Sequence, residues 1–137
     1  MRKRLCFLEI RLFSMLVPFV VRLFSFERLL KIVEPHSPWH GPGLPTAEEI
    51  AVFVDRILGH RLLMRRQLCL RRSLVLYRFF RKLGLDVQIN FGVAPPGRSG
   101  RLKAHAWLSR EGKPFLEGRE THEGFDLIHT YGGKGIG

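Results

Sequence analysis

Two side chains have the types that could share a covalent reaction, Cys69 and His105. A cysteine attacks carbonyls as its thiolate, and a neutral imidazole in reach can take the thiol proton. Cys69 opens the run CLRRSLVLYRFFRKL (69–83), which reads as a helix. The partial positive charge at a helix start favours a thiolate, and Arg71 and Arg72 add positive charge beside it. Alone, a cysteine on an apolar helix face is more readily a core residue. His105 stands in Ala-His-Ala-Trp. Alternation on a strand puts His105 and Trp107 on one face, and Ala104, Ala106 and Leu108 on the other. The small alanines leave room for a helix to approach. A strand histidine is as often structural, so the ordered pair carries the chemistry and neither residue does so singly. A third group must orient the imidazole. Glu117 lies about as far past the Glu111-Gly112 turn as His105 lies before it, which makes it the cross-strand candidate. A solvated strand-end carboxylate is its competing reading, and Glu111, Glu120 and Asp126 are alternatives. Backbone N–H groups at the helix start could hold an oxyanion, with Gln67 as a further side-chain donor.

Helices and strands must hold these groups. Residues 5–33 are apolar with interspersed charge, and Leu16, Phe19, Val20, Leu23 and Phe24 follow helical spacing. One or two amphipathic helices are expected there, packed on the rest, with Pro18 a place to kink or divide them. EPHSPWHGPGLPT (34–46) is an irregular connector. Thr46 followed by Glu49 is a capping box, and the helix it starts buries Ile50, Phe53, Val54, Ile57 and Leu58. In the 69–83 helix, Cys69, Ser73, Leu76, Tyr77 and Phe80 share one face. Arg71, Arg72, Arg78, Arg81 and Lys82 lie largely on the other, and Gly84 is the cap. Strands follow at 86–93 and 103–109, a third starts at Pro114 and runs to Glu117, and a fourth lies at Leu127 to Tyr131. Helices first and an antiparallel meander after is an α+β layout.

Bulk properties narrow the function classes. A chain of 137 residues with 45% hydrophobic side chains and eleven Phe is not disordered and suits one compact domain. Within it, residues 1–45 form the N-terminal helices and connector, and 46–137 the catalytic region. The two cysteines, Cys6 and Cys69, make neither a CxxC pair nor a secreted framework, and nothing points to an oxidising compartment. His36 and His40 have a metal-binding helical spacing, but the prolines around them deny the helix, so no metal or cofactor is expected. The net charge of +11 attracts anions (nucleic acid, acidic lipid or acidic peptide) and equally describes a solvated basic surface. No nucleic-acid-binding motif accompanies it. The apolar run from Leu12 to Val21 is too short to span a bilayer, is flanked by Arg11 and Arg22, and lacks a cleavage site. A cytoplasmic location is expected, with attachment to a membrane surface left open.

The ordered set C-L-R-R-S-L-V-L (69–76), R-K-L-G (81–84), a strand ending F-G-V (91–93), A-H-A-W-L (104–108) and E-G-K-P-F-L-E (111–117) resembles the lasso peptide biosynthesis B2 proteins. These are members of the transglutaminase-like superfamily. The resemblance covers about residues 48–118, and more loosely the N-terminal helices. It implies a transglutaminase-like (papain-like) cysteine enzyme fold, with N-terminal helices on an antiparallel sheet. It also implies a leader peptidase, which frees the core of a ribosomally made precursor before a separate ATP-dependent cyclase closes the macrolactam. Cys69 would be the nucleophile, His105 the general base, and Glu117 would stand third, where the family usually has Asp. No further domain is expected before the peptidase region, and the resemblance then implies a separate leader-binding protein as partner. Two other readings stand beside this one. An acyl-transfer enzyme would use the same three residues with an amine acceptor. A non-catalytic basic module binding nucleic acid or membrane would leave the ordered Cys, His and acid unexplained.

Overall fold

The computed structural model describes residues 2–59, 68–94, 103–116 and 125–132. The first helix, α1 (Arg2–Leu23), runs unbroken through Pro18. The division expected at Pro18 does not occur, because a proline withholds only its own N–H and the flanking turns carry the helix past it. The chain turns instead at Ser25, the N-cap of α2 (Phe26–Val33). Of the apolar residues at helical spacing, Val20 packs against the core, whereas Leu16, Phe19, Leu23 and Phe24 are 57, 62, 77 and 41% exposed. Cys6, Ile10, Ser14, Val17 and Pro18 are buried in their place. The helix is apolar on two faces, and the core took the one whose small side chains permit close approach.

The helix α3 (Ala47–Gly59) begins as its capping box predicts, with the Glu49 N–H donating to Thr46 Oγ1 at 3.1 Å. Lys3 of α1 pairs with Glu49 at 2.8 Å. Ile50, Val54 and Leu58 are buried. The connector before α3 is anchored by Trp39, which stacks on Phe79 and donates from Nε1 to Glu9 at 3.1 Å.

The central element is α4 (Leu68–Lys82), which touches α1, α2, α3 and two strands. Leu74, Val75, Leu76, Tyr77, Phe79 and Phe80 are wholly buried, so the helix has no solvated face over these residues. The expected basic face is therefore corrected: Arg71 and Arg81 are only 6 and 4% exposed. Buried guanidinium groups need partners. Arg81 lies 3.6 Å from Glu34 and 3.8 Å from Asp86. Arg72 donates to Asp55 at 2.6 Å and to the Leu116 carbonyl at 2.7 Å. Gly84, at φ 85°, ends the helix. Its N–H bonds the Arg81 carbonyl and that of Leu85 bonds Phe80, the double closure of a Schellman cap.

Among the described residues four antiparallel strands follow: β1 (Val87–Ala94), β2 (Lys103–Arg110), β3 (Lys113–Pro114) and β4 (Asp126–Gly132). Their order is β3-β2-β1-β4, so the last strand returns to the free edge of the first. Glu111 and Gly112 make the two-residue hairpin turn with φ of 55° and 79°. The third strand is shorter than expected and ends at Pro114, and Leu116 adopts φ 52°. Val87, Ile89, Phe91, Ala106 and Leu108 belong to the core shared with the helices. The other face is tied by Asn90, whose amide donates to Ser109 Oγ and accepts from Thr130 Oγ1, both at 2.9 Å.

Candidate active site

Cys69 lies in the first turn of α4, half-buried, with a free thiol. It opens on a cavity of about 510 Å³ whose walls come from five elements. Cys69 and Leu70 form one side, and Phe26 of α2 another. The sheet supplies Phe91, Gly92 and Val93 from β1, Ala104, His105 and Ala106 from β2, and Ile128 and His129 from β4. Cys69 and His105, far apart in sequence, thus border one space. The lining is mostly apolar and has no carboxylate among the described residues. Among those residues, no three His, Cys, Asp or Glu side chains gather as a metal centre needs.

The strands set how each imidazole meets the cavity. His105 pairs with Gly92, and its ring stacks on Trp107 at 5.8 Å and lies 5.1 Å from Phe125. Ala106 and Leu108 face the helices, so alternation turns His105 and Trp107 to the other face, as the sequence predicts. The Trp107 ring tip lies 2.9 Å from where a Cβ on Gly92 would stand. Only a glycine gives that ring room, and the ring in turn backs His105. His129 meets the cavity differently. It pairs with Phe91, on the helix-facing side, and its ring lies 6.2 Å from Phe91 and 6.1 Å from Phe26. A register shift between Phe91 and Gly92 makes Ile128 the extra residue of a bulge in β4. Such bulges re-aim side chains, and this one lies at the cavity wall.

Sequence reasoning missed His129, Phe26 and Phe91 as site residues. A strand over Leu127 to Tyr131 was legible, but its partner strand was not. Glu117, Gln67 and Glu120 lie outside the described residues. Of the alternative carboxylates, Glu111 is exposed in the hairpin turn, and Asp126 is exposed at the start of β4 beside Val93. The expected electrostatic help from Arg72 is already engaged, since its guanidinium is paired with Asp55.

A cysteine in the first turn of a buried helix, laid on an antiparallel sheet that carries a histidine, is the plan of an α+β enzyme of the thiol type. The chain belongs to the transglutaminase-like superfamily, whose core domain it matches over residues 13–130. That superfamily includes cysteine peptidases and acyl-transferases and is typically catalytic through cysteine. No curated protein and no solved structure matches the chain. The family match begins at Phe13 inside α1, so the second half of that helix lies within the matched region.

Proposed function

We propose that the protein is a cysteine peptidase that removes the leader from a ribosomally made lasso peptide precursor. The observation that supports this reading is that Cys69 and His105 border one cavity. It requires the His105 ring, which alternation turns to the face of β2 away from α4, to swing toward the thiol when substrate binds. Cys69 is the nucleophile: its thiolate attacks the scissile carbonyl, and the new oxyanion is held by backbone N–H groups at the start of α4. His105 takes the thiol proton and returns it to the departing amine. Water, deprotonated by the same imidazole, then hydrolyses the thioester. Glu117 orients His105. The apolar walls suit an uncharged segment of peptide beside the scissile bond. A separate leader-binding protein presents the precursor, and the cyclase consumes the freed amino terminus.

The test is to incubate the chain with a precursor and its leader-binding protein and to follow the products by mass. Wild-type protein should release a leader one water heavier than its residues, and Cys69→Ala should release none. Glu117→Ala should slow the reaction less than His105→Ala. Cleavage by Cys69→Ala at the wild-type rate would sink the proposal. A leader captured as an amide of an added amine would assign the chain to acyl transfer instead.

A further inference from the structure

We propose that the outward face of α1 docks the protein on an anionic lipid bilayer. Seven apolar side chains line this face: Leu5, Leu8, Leu12, Met15, Leu16, Phe19 and Leu23. Each is between 42 and 77% exposed. At 3.6 residues per turn they fall within an arc of about 100°, on a helix roughly 33 Å long. The apolar area they present is on the order of several hundred Å², the size of the largest patch on a typical soluble monomer, which is often an interaction site. The opposite arc holds Cys6, Ile10, Ser14 and Val17 and is buried in the core. Packing inside the protein therefore does not account for the outer stripe.

The charges around the stripe identify its occupant. Arg4, Arg11 and Arg22 are exposed, and the helical period lines them up along one edge of the stripe. The one acidic residue of α1, Glu9, lies beyond the other edge and is engaged by Lys82 and by Trp39. The stripe thus carries no anionic charge, and a row of cations borders it on a chain of net charge +11. An amphipathic helix lying in the headgroup region has this layout, its apolar side in the acyl boundary and its cations on lipid phosphates. No helix among the described residues is long and apolar enough to cross a membrane, so α1 lies along the surface. The stripe is one long convex face, which suits a fluid surface better than the short anchors of a protein groove.

The experiment is co-flotation of the full chain with vesicles. One set is phosphatidylcholine alone, and the other contains about one-third phosphatidylglycerol. Wild-type protein should float with the anionic set, and salt should weaken the binding. Phe19→Glu and Leu12→Glu should each lower partitioning about tenfold or more, since each puts a carboxylate where apolar area is buried. Changing Arg4, Arg11 and Arg22 together to Gln should lower it on the order of a hundredfold on anionic vesicles. A Phe19→Trp variant gains a reporter that brominated acyl chains should quench. Failure of wild type to bind anionic vesicles, or absence of that quenching, would overturn the proposal. It would also be overturned if Phe19→Glu left vesicle binding intact and abolished only self-association or capture by a protein. Leader release is read separately without lipid, so loss of either property leaves the other measurable.

Discussion

The two cysteines differ in what surrounds them. Cys6 is buried in α1, and burial first, then the Glu9 charge, pushes its thiol above the usual range. It stays protonated and is no rival to Cys69, which opens on the cavity. The two imidazoles of the cavity also differ. His129 stands against Phe26 and Phe91 as part of a wall, whereas His105 is backed by Trp107. The assignment of His105 as the base predicts a split in kinetics. His105→Ala should lower kcat by about 10²–10⁴-fold, the range for a lost general base. His129→Ala should act mainly on KM, through the peptide segment that the wall contacts. Steady-state kinetics on a leader-core substrate checks this, and the opposite split would move the role of base to His129.

At the scale of elements, the site depends on how closely β1, β2 and β4 approach one another. Gly92 is the critical position. An added Cβ would lie 2.9 Å from the Trp107 ring and 3.1 Å from the Asp126 carbonyl oxygen. The ring could shift, but the carbonyl belongs to the neighbouring strand. Gly92→Ala should therefore cost about 1–3 kcal/mol, as overpacking does, and should disturb His105 through Trp107. Urea unfolding reads the first effect and the near-ultraviolet signal of the tryptophans the second. A variant as stable as wild type with an unchanged spectrum would contradict this account. Arg72 works at the same scale. It joins α4 to Asp55 of α3 and to the Leu116 carbonyl, and so holds the end of the hairpin from which Glu117 follows.

Across the whole molecule, one polar cluster ties the N-terminal helices to the sheet. Tyr77 of α4 donates to Glu34 at 2.5 Å, and Arg81 lies against the same carboxylate. Gly132, at φ 91°, leaves the Tyr77 ring the space that a Cβ would fill. Burial first, then the hydrogen bond and charge of Glu34, hold the Tyr77 hydroxyl far above ordinary tyrosine ionisation. Tyr131 is shifted the same way, again chiefly by burial. An unfolded tyrosine loses its proton near pH 10, while the folded one keeps it. The stability from this linkage is full below about pH 10 and is lost as the pH rises through the folded value. Tyr77→Phe should therefore flatten the alkaline fall in unfolding free energy, measured by urea titration from pH 9 to about 11.5. Equal slopes in the two proteins would show that the phenol is not the group responsible.

Local features of the chain were legible in the sequence. The Thr46 capping box, the Gly84 cap, the Glu111-Gly112 turn and the alternation of β2 each depend on neighbours a few residues apart, and each appears as read. Cys69 at a helix start and His105 on a strand were each visible for the same reason, although nothing local brings the two together. Three matters were decided only by tertiary structure. The face of α1 that enters the core could not be read, because both faces are apolar and the choice depends on what α3 and α4 present. The burial of Arg71 and Arg81 could not be read, because it depends on α4 being enclosed by helices on one side and the sheet on the other. His129 joined the cavity because β4 crosses to the far edge of β1, a pairing between strands more than thirty residues apart. Local pattern fixes which residues can do chemistry, and long-range packing decides which of them share a space.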